Sequence, residues 1–249
     1  MYRYNIPLIF LILILITTFT IYKLYESYNT NMKITVIILN YNRPHNLDIL
    51  IPSLVKIDCI GEIIISHGKK ETENIIKQNK VINETKIKNI YYSAARFECI
   101  KLAKNNIILF LDDDILITEE GIITLLDSMK KNGTNNLYGP NHRTCDSSGY
   151  FFNKANNTIL TSCALIGKKT GLKVWNDMKK SPYFNIVLDQ KGNGEDIVFS
   201  YFLNKNKYGK DIYVDIKTKN LDNTNGYSNK PSHYKERTSL CKTINNKVN

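Results

Sequence analysis

Residues Ile107 to Ile117 read IILFLDDDILI: an apolar run, three consecutive aspartates, then apolar residues again. No other stretch limits the fold so severely. A buried strand does not end in three carboxylates unless positive charge meets them, because each resists leaving water and neighbours repel. A divalent cation is the simplest compensation, and hard oxygen ligands suit Mn²⁺ or Mg²⁺. The structural alternative is an acidic turn capping a helix that starts at Thr118 or Glu119. The apolar residues pressed against both ends of the triplet speak against it.

Around the triplet the chain alternates strand and helix signals. Ile34 to Leu39 (ITVIIL) is β-branched and reads as a buried strand. Asn40 to Arg43 forms a loop, Pro44 suits a first helical turn, and Leu47, Leu50, Ile51, Leu54 and Val55 recur at helical spacing. Glu62 to Ser66 is a second strand, Asn89 to Tyr92 a short third, Phe97 to Lys104 a helix, and Ile107 to Leu111 the next strand. This order predicts a mostly parallel sheet with right-handed crossovers. Ligands then bind beyond the carboxyl ends of the strands, where Asn40, Ser66 and the aspartates fall. Further on, the pattern predicts a helix over Thr118 to Lys131 and a strand from Leu137. Tyr150 to Phe152 is expected to pair with Thr158 to Ile166, and a helix is expected over Val198 to Leu203. The region after Asp222 has the Asn, Ser and Lys content of a disordered tail, except at Gly226-Tyr227-Ser228 and His233 to Arg237.

The 249 residues suffice for one large α/β domain at 33–249, preceded by a tail, apolar segment and stem at 1–32. Ile6 to Ile21 carries no charge and is flanked by tyrosines, which fits both membrane interfaces. The expectation is an uncleaved transmembrane helix acting as signal anchor, with a cleavable signal peptide as the rival. The net charge of +11 (34 Lys+Arg against 23 Asp+Glu) is spread along the chain, with Asn and Ile equally over-used. No recognition-helix or zinc-finger pattern accompanies it, so nucleic acid is not an expected partner. Sequons at Asn83, Asn132 and Asn156 are no more than chance gives. The five cysteines form no CxxC; they allow one or two disulfides and indicate no metal cluster.

A metal-bound diphosphate needs carboxylates for the metal, cations for the remaining phosphate charge, and a carboxylate at the reacting carbon. Asp112, Asp113 and Asp114 supply the first. Arg43 and Arg96 are candidates for the second, through the planar guanidinium fork. Glu195 and Asp196, after Gly192-Asn193-Gly194, supply the third; an N-terminal helix cap is their structural alternative.

These motifs together resemble GT-A glycosyltransferases, whose signature is a DXD-type metal-binding triplet after a buried strand. Within them, the chain resembles the exostosin C-terminal domain and exostosin-like α-N-acetylhexosaminyltransferases. The resemblance rests on Asn40-Tyr41-Asn42-Arg43, on Arg96 sixteen residues before the triplet, and on Pro140, His142, Ser148, Gly149 and Tyr150. It rests further on Asn193-Gly194-Glu195-Asp196-Ile197, and on Gly226-Tyr227-Ser228, His233, Arg237 and Cys241. Their order holds from about Lys33 to Cys241.

The resemblance implies a GT-A, Rossmann-like mixed sheet flanked by helices, and sugar transfer from a UDP-sugar with retention; the alternatives are an inverting GT-A glycosyltransferase with Asp196 as general base and a catalytically silent, membrane-anchored sugar-nucleotide-binding protein. It implies Mn²⁺ on Asp114 and Asp112, a donor held by Asn42, Arg43, Arg96, Asp112 and Asp113, and catalysis by Asp196, Glu195 and Arg237. The implied donor sugar is GlcNAc or GalNAc, and the implied acceptor a glycan or glycoconjugate. With the anchor, it implies a single-pass type II protein whose catalytic domain lies in the ER or Golgi lumen. Two departures stand out. The family's cysteine before the acidic pair is Gly194 here, so Cys241 is free or paired elsewhere, with Cys145 a candidate. The asparagine usual upstream of the nucleotide-contacting arginine is absent from the Tyr91-Tyr92-Ser93 region.

Overall fold

A computed structural model describes residues 10–19, 32–68, 75–87, 90–152, 158–224 and 226–246. Residues 10–19 are helical (α1), with large apolar side chains from Phe10 to Phe19 exposed. They cover the middle of the expected anchor, and the rest of it lies outside the described residues. Among the described residues no helix is long and apolar enough to cross a membrane.

The central sheet has seven strands. β1 (Ile34–Asn40), β2 (Ile60–His67), β3 (Val81–Glu84) and β4 (Ile107–Asp112) are mutually parallel. β6 (Leu137–Gly139), β10 (Cys163–Gly167) and β11 (Asp211–Tyr213) complete the order β11-β6-β10-β4-β1-β2-β3. β10 runs antiparallel to both of its neighbours. The expected mixed, mostly parallel sheet is therefore present, and helices cover both faces.

The alternation within β1, β2 and β4 explains the two-sided burial. Val36, Ile38, Ile63, Ile65, Leu109 and Leu111 feed one core, shared with α2 (Pro44–Val55) and α4 (Glu119–Asn132). Ile37, Ile64, Ile108 and Phe110 face the other. That second core receives α3 (Ala95–Glu98), α5 (Lys168–Lys179), α6 (Pro182–Asp189), α7 (Glu195–Lys205) and α8 (His233–Asn246). At its centre Phe97 stacks on Phe199 at 4.3 Å and meets Phe110 edge-on at 5.4 Å. α4 begins where its cap predicts: the Thr118 hydroxyl accepts the Gly121 N–H at 3.1 Å.

Four local expectations are corrected. The third strand is Val81–Glu84, not Asn89 to Tyr92; Tyr92 has φ 51, outside strand conformation, and Ile90 is exposed, while Asn89 lies outside the described residues. The run Phe97 to Lys104 is broken: a 3₁₀ turn over Tyr92–Ala94, then α3, then 3₁₀ again over Cys99–Leu102. The segments near 150 and 158 do not pair with each other. β8 (Gly149–Phe151) and β9 (Thr158–Ile159) flank a polar strand, β7 (His142–Asp146), that has no apolar alternation to announce it. Cys163–Gly167 instead joins the main sheet beside β4. Finally, the order expected only at Gly226 to Ser228 and His233 to Arg237 in the region after Asp222 extends through α8 to Asn246, and α8 buries Leu240, Cys241 and Ile244; just before that region β12 (Thr218–Asn220) pairs with β5 (Ile115–Ile117).

Candidate active site

The strand ends meet as parallel topology requires. β1, β2 and β4 stop at Asn40, His67 and Asp112, which line one cleft of about 450 Å³. Asn40 Nδ2 donates to His67 Nδ1 at 2.9 Å, and His67 Nε2 donates to Asn83 Oδ1 at 3.1 Å. That pairing selects the Nε2–H tautomer of a fully buried histidine. His67 carried no motif; its position at a parallel strand end was the available signal.

The triplet lies across from these residues. Arg43, delivered by the loop before α2, donates Nη2 to Asp113 Oδ1 at 2.5 Å and Nη1 to Asp114 Oδ2 at 2.7 Å. Arg96 donates Nη2 to Asp112 Oδ1 and Nη1 to the Thr161 carbonyl, both at 2.6 Å, and Nε to the Ser93 carbonyl at 3.2 Å. Burial alone would lower both guanidinium groups, but the aspartates more than reverse it, Asp113 leading for Arg43 and Asp112 for Arg96.

The three aspartates are not equivalent. The Asp112 and Asp114 side chains are 29% and 20% exposed, whereas that of Asp113 is 2% exposed. Burial pushes Asp113 up to about 7, with Arg43 pulling it down and Asp112 pushing it further up. Its Oδ2 is buried without a hydrogen-bond partner.

Among the described residues no three His, Cys, Asp or Glu side chains converge as a ready metal cage. The donor set still fits a hard divalent ion: two partly open carboxylates at a cleft, each with one oxygen outside the arginine bonds, to which water and phosphate oxygens would add the hard donors such an ion needs. The residues placed to hold it are Asp112 and Asp114.

On the other side, Glu195 and Asp196 form the first turn of α7, where the helix dipole favours negative charge. The loop before it depends on glycine. Gly192 and Gly194 have φ 93 and 91, and a Cβ there would meet Ser93 Oγ and Leu240 Cδ2 at 2.4 Å. Arg237, from α8, donates Nη2 to both oxygens of Asp196 at 2.6 Å, and its guanidinium lies 4.6 Å above the Tyr150 ring. Burial would lower Arg237, and Asp196 reverses this, so it rises.

Glu195 is more loosely held, 3.8 Å from Arg96 Nη2. Burial, then Asp196, push its carboxyl up to about 7 against Arg96 and Arg237. His233 is driven down to about 4 by burial and then by Arg237. Cys145 and Cys241 form a disulfide that ties α8 to β7. All nine residues expected in the site line this cleft: Asn42, Arg43, Arg96, Asp112, Asp113, Asp114, Glu195, Asp196 and Arg237. Sequence reasoning did not assign His67, Lys191 or Lys230, which line it too.

Residues 35–207 match the sequence model of glycosyl transferase family 2. The chain belongs to that family. Membership extends over both carboxylate clusters, though it does not single out the exostosin-like branch. No curated protein matches this glycosyltransferase. Among solved structures it is similar to GalNAc-T7 with UDP, GalNAc and Mn²⁺, at 14% identity and TM-score 0.53, covering 74% of this chain and 42% of that one. It is also similar to TarS of S. aureus, at 14% identity and TM-score 0.50, covering 77% and 37%. The glycosyltransferase thus spans about two-fifths of those proteins, and the likeness is one of fold.

Proposed function

We propose that this family 2 glycosyltransferase moves a sugar, GlcNAc or GalNAc, from a UDP-sugar to a glycan or glycoconjugate hydroxyl in a metal-dependent reaction. The carrying observation is the charge imbalance at the triplet: three carboxylates at a strand end share two guanidinium groups, and two of them open into the cleft. Support comes from the neighbour that holds UDP, GalNAc and Mn²⁺ in its own site.

Asp112 and Asp114 would hold the cation, which supplies charge neutralisation to a departing diphosphate. Asp113, 2% exposed and bonded to Arg43, is assigned to hold that arginine, in place of the donor contact the resemblance implies for it. Arg96 and Arg43 are aimed where phosphate charge grows, in a cleft that already fixes their donors. Asp196, held by Arg237, places fixed negative charge at the head of α7 for a developing oxocarbenium ion or an acceptor hydroxyl.

Retention is the reading the motif resemblance supports, with the departing phosphate taking the acceptor proton. Inversion is the second reading, and the geometry favours Glu195 over Asp196 as its base. Both Asp196 oxygens already accept from Arg237, whereas Glu195, pushed up to about 7, is poised to accept a proton near neutral pH. Proton NMR of the product anomer separates the two.

The direct experiment is a donor panel with UDP release as readout, with and without Mn²⁺. Mn²⁺-dependent release from UDP-GlcNAc or UDP-GalNAc is expected. No release from any UDP-sugar, together with no Mn²⁺-dependent UDP binding, rejects the proposal.

We also propose a type II orientation with the catalytic domain in a secretory lumen, anchored through Ile6 to Ile21. The Cys145–Cys241 disulfide fits an oxidising compartment. Protease protection of the domain in sealed microsomes is the expected result, and digestion without detergent overturns it.

A further inference from the structure

Three sequons lie outside the reading of the cleft: Asn83-Glu84-Thr85, Asn132-Gly133-Thr134 and Asn156-Asn157-Thr158. An N-linked oligosaccharide is bulky, and the asparagine that carries it must present its amide to solvent. The structure separates the first two sequons, and Asn156 lies outside the described residues.

At Asn83, in β3, both ends of the amide are engaged. Nδ2 donates to the Ile76 carbonyl at 2.9 Å, and Oδ1 accepts from the Ile76 N–H and from His67 Nε2, both at 3.1 Å. The amide is half-buried between these partners, and turning it outward breaks all three bonds. The middle residue is closed too: Glu84 is buried and accepts the Lys86 and Ile87 N–H groups.

Asn132 is the last residue of α4, and Gly133 and Thr134 carry the chain out of the helix; all three are exposed. Gly133 has φ 91, and a Cβ there would meet nothing within 4 Å, so the turn stands in open space. Its backbone is held through carbonyls: Tyr138 Oη donates to Gly133 at 2.5 Å, and Asn136 Nδ2 donates to Asn132 at 2.8 Å. The Asn132 amide itself donates to the Ser128 carbonyl at 2.9 Å on the exposed side of the helix, a bond that water replaces at little cost. Helix ends fray, so a sequon across the last turn opens more easily than one inside a strand. The Thr134 carbonyl accepts the Gly167 N–H at 3.1 Å, and Gly167 pairs with Ile107 at the start of β4. Asp112 stands at the other end of that strand, roughly 17 Å away at the usual rise per residue.

We propose that Asn132 is an N-glycosylation site and that Asn83 is not. This goes beyond the transfer reading of the cleft and rests on the luminal orientation of the domain. In the modification, Asn132 Nδ2 forms a bond to the anomeric carbon of an oligosaccharide carried on a lipid diphosphate. The bond from that carbon to the diphosphate oxygen breaks, the diphosphate leaves with the electron pair, and Nδ2 gives up a proton. The glycan then stands at the foot of the sheet, away from the strand ends that carry the site.

The test makes the full chain in a cell-free system with sealed microsomes. Peptides are mapped by mass spectrometry after treatment with a peptide N-glycosidase, which leaves aspartate at each asparagine that carried a glycan. Occupancy of Asn132 at least about tenfold above that of Asn83 is expected. Thr134→Ala keeps the asparagine and removes the hydroxyl the sequon requires, so it should abolish the modification. An unmodified Asn132 in a protease-protected domain, or Asn83 occupied to the same extent, overturns the proposal. Digestion of the domain without detergent is a failure of the luminal reading alone. The site is then judged on the purified, folded full chain, treated with an oligosaccharyltransferase and its lipid-linked oligosaccharide. Modification of Asn132 without Asn83 supports the assignment there, and any other pattern at these two residues overturns it.

Discussion

At the triplet, three carboxylates share two arginines and a buried oxygen of Asp113 is left without a partner; at the head of α7, Asp196 takes two hydrogen bonds from Arg237 and is closed within the chain. Both regions are acidic and arginine-bound, so their difference is one of completeness. The first leaves negative charge for a ligand to answer. The second is already answered, by a helix from the far end of the chain. A site that binds a metal-bound diphosphate and also fixes charge at a reacting carbon needs one region of each kind.

This contrast can be broken experimentally. The largest effect is expected at the open side: Asp114→Ala should abolish Mn²⁺-dependent UDP binding and lower transfer by roughly three orders of magnitude, read by calorimetry and UDP release. At the closed side, Asp196→Asn should cost transfer about a hundredfold while UDP and Mn²⁺ still bind. Near-normal turnover in that variant would falsify the role given to Asp196.

Next in size is a stability effect without a binding effect. Arg237→Ala leaves Asp196 buried and unpaired and should destabilise the fold by about 3–5 kcal/mol, measured by denaturant unfolding. Cys145→Ser should cost about 2–5 kcal/mol, because the disulfide closes a separation of 96 residues. An unchanged denaturation midpoint would show that α8 needs no staple.

The smallest effect is a pH dependence. Glu195 has its folded pKa raised to about 7, above its unfolded value. Its contribution is full below the unfolded pKa and is lost as pH rises through about 7. Stability should therefore climb as pH falls from 8 to 5, with Asp113, also raised to about 7, adding to the same slope, and Glu195→Gln should reduce that slope without abolishing it. A slope unchanged in the variant would assign the titration to another group.

Much of the fold was legible because its strands are buried on both faces. ITVIIL, EIIIS and IILFL are continuous β-branched and apolar runs, and such runs identify parallel strands with no help from context. Elements that draw their stability from neighbours left no such trace. β7 reads HRTCD and exists through its pairing with β8 and β9. α8 looked like a polar tail because only Leu240, Cys241 and Ile244 carry its apolar contact. The expected third strand failed because Tyr92 adopts positive φ, at a point where the chain packs closely against the Gly192 loop.

The site divides in the same way. Its residue types were all in the sequence, since carboxylates after a buried strand demand positive charge wherever the chain goes. Which arginine answers which carboxylate was decided only in three dimensions. Arg43 reaches over seventy residues to Asp113 and Asp114, and Arg237 comes back forty-one residues to Asp196. Charge demand is local to a few residues, and sequence carries it. Charge partnership depends on which strand ends and helix turns arrive together, and only the packed sheet with its returning α8 determines that.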